Sequence, residues 1–188
     1  MNRSMLGIKG KFDIIVRNPD GSVATRRESH NIVTNSGVAA LFALLAGGDA
    51  YVTGDYSTAT RLSHVALGDG GTIPIDRAGA WSDTLLTREL DTGGTSDNRY
   101  ARVACANAVL DNQGAHDEES TIMFSATFVA PFVGDTGSAT RYLNEVGLFN
   151  AAGTGAGTLY AVSTYTAITV THEQNVEVRY TLSVIQAT

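Results

Sequence analysis

Scarcity marks this chain before any motif does. Its 188 residues hold one cysteine, three prolines and one tryptophan, and only 17% are charged. The lone Cys105 excludes an intrachain disulfide framework and a thiolate zinc site. Its setting, Arg102-Val-Ala-Cys-Ala-Asn107, is apolar and predicts a buried, inert thiol. The longest apolar run, Val38 to Ala46, is about half the ~20 residues a spanning helix needs, so no membrane partner is expected. Met1 to Gly10 lacks the apolar stretch of a secretory signal, which predicts synthesis in a cytoplasm. The 13 Lys and Arg are scattered in a chain of net charge -6, and phosphate contacts need them clustered, so no nucleic-acid partner is expected.

Catalytic and ligand-binding motifs are equally sparse. Gly68-Asp-Gly-Gly-Thr72 lacks the Gly-Lys-Ser/Thr of a phosphate loop, and Gly153-Thr-Gly-Ala-Gly157 lacks dinucleotide spacing and a following helix; both predict turns. No nucleophile elbow is present. His30, His64, His116 and His172 form no metal-binding pair. Asp49, Asp55, Asp69 and Asp76 share a loop-rich region but not the spacing of a calcium loop, so solvated carboxylates are expected there. No cofactor and no metal are expected.

What is abundant is alternation. With 43% hydrophobic residues, a chain of this length can bury a core unaided, in one domain spanning 1–188. In Gly7 to Arg17, Ile8, Phe12, Ile14 and Val16 share one parity while Lys9, Lys11, Asp13 and Arg17 share the other. Such a run is a half-buried strand. Asn18-Pro-Asp-Gly-Ser22 turns it back into a polar strand, Val23 to Ser29. This N-terminal hairpin, 7–29, is expected to project as an arm. Ile122, Phe124, Ala126 and Phe128 alternate in the same way, as do Val176, Val178, Tyr180, Leu182 and Val184 against Glu177, Arg179, Thr181 and Ser183. One helix is expected over about 37–46, capped by Thr34, Asn35 or Ser36, with Val38, Leu41, Phe42 and Leu45 as its apolar stripe. Seven to nine strands, one buried helix and no βαβ rhythm predict a mainly β protein, an antiparallel β-sandwich.

Leu143 to Tyr165 is the organising hairpin, two apolar-rich runs around Ala151-Ala-Gly-Thr-Gly-Ala-Gly157. Strict alternation places Tyr142, Val146 and Leu148 on one face and Leu143, Glu145, Gly147 and Phe149 on the other. Apolar residues on both faces predict a central strand. Thr121 to Pro131 and Asn175 to Ile185 are its expected neighbours. Glu89 and Glu145 each lie in an apolar run, where a carboxylate needs a partner; Arg88, Arg102 or Arg141 can supply one. A glycosidase dyad is the sharper alternative, a structural ion pair or exposed carboxylates the simpler one.

Several pieces recur together. Asn31-Ile-Val-Thr-Asn-Ser-Gly37 opens the helix, Val65-Ala-Leu-Gly-Asp-Gly-Gly-Thr72 ends a strand, and Asp83-Thr-Leu-Leu-Thr-Arg-Glu89 follows. Asn144-Glu-Val-Gly-Leu-Phe-Asn150 and a Leu-Tyr-Ala strand complete the series. In this order, across about residues 8 to 185, the chain resembles the small β-rich virion structural proteins of tailed bacteriophages. The resemblance implies a non-enzymatic component of the virion, in a tail, baseplate, fibre attachment or capsid-decoration role. Its partners would be copies of itself and other virion proteins. The hairpin charges Lys9, Lys11, Asp13, Arg17, Arg26 and Arg27, with the loops Asp49–Arg61 and Asp91–Arg99, are the expected assembly contacts. A carbohydrate-binding module is the competing class, with Tyr51, Tyr56, Trp81 and Tyr100 as the stacking platform for a glycan.

Overall fold

The computed structural model describes residues 5–34, 37, 63–69, 86, 89, 102–111, 119–130, 140–153 and 156–187. Ten strands run through them in chain order. They are β1 (Met5–Arg17), β2 (Val23–His30), β3 (Ile32–Val33), β4 (His64–Gly68), β5 (Val103–Ala104), β6 (Ala106–Asp111), β7 (Glu119–Phe128), β8 (Thr140–Phe149), β9 (Leu159–Thr171) and β10 (Asn175–Ala187). Two five-stranded sheets result, ordered β2-β1-β10-β7-β6 and β3-β9-β8-β4-β5, and every pairing is antiparallel. The protein is a β-sandwich. Its strand count exceeds the expected seven to nine because β3 and β5 are two-residue edge pieces and the Tyr100–Leu110 run splits at Cys105.

One core fills the space between the sheets. The first sheet contributes Phe12, Ile14 and Val16 from β1, Phe124, Ala126 and Phe128 from β7, and Val176, Val178, Tyr180 and Leu182 from β10. These are the residues that period-two alternation selects. Tyr180 lies 4.7 Å from Phe12 and 6.3 Å from Phe124, centroid to centroid, in tilted aromatic contacts that add to the burial of their area. The second sheet answers with Val65, Leu67, Leu143, Val146, Leu148, Ala161, Ile168 and Val170. A second, smaller cluster of Ala66, Leu86, Phe149, Leu159 and Val162 covers the opposite face of that sheet.

The β8–β9 hairpin is central, as two-sided hydrophobicity requires, with β8 the middle strand of its sheet. Its expected neighbours need correction. β7 and β10 belong to the other sheet and face the hairpin across the core, while β8 pairs with β9 and β4. Strict alternation also fails inside β8. The pairing register shifts between Leu143 and Glu145, so Leu143 joins Val146 and Leu148 in the main core and Tyr142 turns outward, 62% exposed. An irregular ladder of this kind rotates the strand and exchanges its faces.

The N-terminal hairpin does not project. β1 pairs with β10 over all 13 of its residues, from Met5↔Ala187 to Arg17↔Asn175, and so lies inside the sheet with β2 as the edge. Phe12, Ile14 and Val16 share one face of β1, and burial against the second sheet satisfies them. After β2 the chain crosses to the other sheet through Asn31. A polar seam closes that corner: Ser29 Oγ lies 2.6 Å from Ser163 Oγ and donates to the Thr164 carbonyl at 3.0 Å, and Ser163 Oγ donates to the His30 carbonyl at 2.7 Å.

Beyond β3, the Thr34 amide donates to the Tyr160 carbonyl and the Gly37 amide donates to Thr34 Oγ1 at 3.0 Å. Gly37 is helical, and the Thr34 hydroxyl accepts its amide as an N-cap does. A Cβ at Gly37 would collide with the Tyr160 carbonyl oxygen, a backbone atom that cannot step aside, so glycine is required there. The remainder of the expected helix, 38–46, lies outside the described residues.

Candidate interaction surface

The outward face of the first sheet carries most of the charges singled out in the sequence. Alternation puts Lys11, Asp13 and Arg17 of β1 on the side opposite the core, and register aligns them with Arg26 and Glu28 of β2 and with Glu177 and Arg179 of β10. Asp13, only 6% exposed, is held by a forked contact from Arg26, whose Nε and Nη2 donate to its two oxygens at 2.8 and 2.7 Å. Arg26 Nη2 also reaches Glu28 at 3.3 Å, and Lys11 Nζ lies 3.4 Å from the other Glu28 oxygen. Across β10, Glu177 accepts from Arg17 Nε at 2.9 Å and from Arg179 Nε at 2.6 Å. Partial burial pushes the Glu177 carboxyl up, but the hydrogen bonds from Arg179 and Arg17 outweigh it, and the net shift is downward. Lys9 and Arg27 stand apart from this lattice and are exposed. Arg27 lies opposite Ile14, on the core side of the edge strand.

Four bases and three acids therefore pair across three strands. A face of this kind presents fixed, mixed-sign hydrogen-bonding groups, which suits a polar protein neighbour better than a polyanion. The structure brings Lys11, Asp13, Arg17 and Arg26 together, and leaves Lys9 and Arg27 outside the network. Tyr51, Tyr56, Trp81 and Tyr100 lie outside the described residues, as do the loops 49–61 and 91–99, His116, Asp49, Asp55 and Asp76. Alternation did not reveal the two most exposed large apolar side chains among the described residues, Val129 at 68% and Tyr142 at 62%. For Tyr142 the hidden signal is the register shift, which leaves no mark in composition.

The two carboxylates within apolar runs meet on the outer face of the second sheet. Gly68 pairs with Glu145 on one side and with Glu89 on the other, so both glutamates share a face with no side chain between them. The Glu89 side chain is 3% exposed and that of Arg102 is wholly buried. Arg102 Nε and Nη2 donate to the two Glu89 oxygens at 2.7 and 3.0 Å. Its Nη1 donates to the carbonyls of Ala151 and Ala156, at 3.2 and 2.7 Å, in the loop that joins β8 to β9. The guanidinium carbon sits 3.5 Å above the Phe149 ring. Both Glu89 oxygens are thus engaged by one guanidinium; of Arg88, Arg102 and Arg141, Arg102 is its partner. Glu145 is fully buried beside it.

His64 shares this face, two residues from Ala66 on β4, with Ser63 Oγ 2.7 Å from its Nδ1. Burial, then the nearby Arg102 charge, lowers its pKa from 6.5. The unfolded chain thus binds the His64 proton more tightly than the folded one. Stability is then full above pH 6.5 and falls as pH drops from there toward the depressed folded value. Urea midpoints measured from pH 7 to pH 5 should decline, and His64→Gln should flatten that decline; an unchanged slope would contradict the assignment. Cys105 is half-buried, and burial raises its pKa to about 11, as expected of an inert thiol. Asp69 lies 3.8 Å from Arg141. Among the described residues no three metal-ligating side chains gather.

No known family matches. Neither the curated proteins nor the solved structures contain a significant match to this chain.

Proposed function

We propose that this chain is a structural, non-enzymatic component of a tailed-phage virion, with tail, baseplate or fibre attachment preferred over capsid decoration. It is made in the host cytoplasm and works in many copies, held by neighbours of its own kind and by other virion proteins. The order of motifs from Asn31 to Asn150 supports the virion class. The observation that carries the structural role is the outer face of the first sheet: a lattice of paired charges of both signs on β2, β1 and β10, beside an edge strand exposed along most of its length. Fixed polar groups of both signs give register and specificity between protein surfaces.

Two measurements test this. Light scattering on the purified chain should give a multiple of its 19.7 kDa mass, or a monomer that becomes incorporated when mixed with particles lacking it. Cross-linking of intact particles followed by mass spectrometry should place Lys9 or Lys11 at a contact. A chain absent from the particles overturns the proposal.

A further inference from the structure

β1 outruns its neighbour on one side. β10 accompanies it from Met5 to Arg17, but β2 accompanies it only from Lys11 onward, because the chain leaves for the other sheet at Asn31. The last contact on that side is the Asn31 amide donating to the Gly10 carbonyl at 3.2 Å. Gly10 therefore aims its backbone groups at the β2 side. In a regular strand this direction repeats every second residue, and the β1–β10 register is unbroken. Leu6 and Ile8 thus point their amides and carbonyls into the open edge, while Met5, Gly7 and Lys9 point theirs at β10. Among the described residues nothing pairs with Leu6 or Ile8 on this edge. Ile8 is also one of the few large apolar side chains left exposed among the described residues, at 40%.

We infer that the Met5–Lys9 edge pairs antiparallel with the same edge of a second copy of this chain, about a two-fold axis at Gly7. The inference deepens the multi-copy role proposed above and rests on it. Three features favour a second copy. The pattern is self-complementary: a two-fold at Gly7 sets Leu6 against Ile8 of the other copy, and each then exchanges two backbone hydrogen bonds. The residue on the axis is glycine, where a non-hydrogen-bonded antiparallel pair brings Cα atoms within about 4.5 Å. Lys9 falls opposite Met5, so no like charges meet. The neighbouring edge fares worse. Pairing two β2 strands about their middle would oppose Arg26 and Arg27, like charges that disfavour pairing and protect the edge.

The test is disulfide trapping in a Cys105→Ala background. Gly7→Cys should link to itself under mild oxidation, since the expected Cα separation suits a disulfide. Its band should shift on a non-reducing gel from 19.7 kDa to twice that mass. Lys9→Cys, which the register sets well apart from its own copy, should stay at the monomer position. Should Gly7→Cys fail to fold, separately purified Met5→Cys and Lys9→Cys supply the same answer: neither alone should link, and their mixture should. Linking of Lys9→Cys as readily as Gly7→Cys overturns the inference, as does a mixture that stays unlinked. If trapping fails while light scattering still shows a multimer, the edge assignment falls and the multi-copy role stands. If trapping fails and the chain is monomeric and absent from particles, both fall.

Discussion

Arg102→Met is expected to lower the free energy of unfolding by about 3–5 kcal/mol, the range for removing one partner of a buried ion pair. The reason lies in what stays behind. Glu89 would remain a nearly dry carboxylate without the forked donor that now occupies both its oxygens. The Ala151 and Ala156 carbonyls would lose a charged donor, and Phe149 the cation above its ring. Arg102→Lys should recover little, because a single ammonium cannot fork to a carboxylate and reach two loop carbonyls as well. The double variant Arg102→Met/Glu89→Leu should regain most of the stability, since replacing both charges removes the stranded one. Urea unfolding of the three variants decides the matter. A loss below about 1 kcal/mol in Arg102→Met would mean that Glu89 finds water or another donor once the arginine is gone.

This node also explains how the central hairpin is held. Its seven-residue loop Ala151–Gly157 contains three glycines and would be free in isolation. Arg102 ties both ends of it to the far edge of the same sheet, through Ala151 and Ala156, while Glu89 extends that edge beside Gly68. An ion pair distant in sequence thereby anchors the hairpin at Ala151 and Ala156.

Local pattern carried most of the architecture and little of the surface. β1, β7 and β10 are long strands whose polar residues gather on one face, so period-two alternation alone selects Phe12, Phe124 and Tyr180 for the core. The same alternation misses the long-range decisions. Whether β1 projects or lies inside a sheet depends on β10, more than 150 residues later in the chain, and nothing local to Met5–Arg17 encodes that pairing. The Glu89–Arg102 contact was legible only as a need: an acid in an apolar run requires a base, and the structure chooses which. The charged hairpin face was legible as charge, but its arrangement into Asp13–Arg26 and Arg17–Glu177–Arg179 needed the third strand. The exposure of Tyr142 was not legible at all, because register shifts arise from pairing.

Leu143 and Tyr142 supply the sharpest test of that last point. Strict alternation counted back from Val146 and Leu148 sends Tyr142 into the core and Leu143 to the other face, whereas the shift beside Asn144 does the reverse. Leu143 is fully buried among Val146, Leu148, Ile168 and Val170, so Leu143→Ala removes packed methyls and leaves a cavity, at a cost of about 2–5 kcal/mol. Tyr142, 62% exposed, should tolerate alanine within about 0.5 kcal/mol. The measurement is a pair of urea denaturation curves, with the m-value unchanged in both. An inverted order, Tyr142→Ala costly and Leu143→Ala mild, would restore regular alternation through β8.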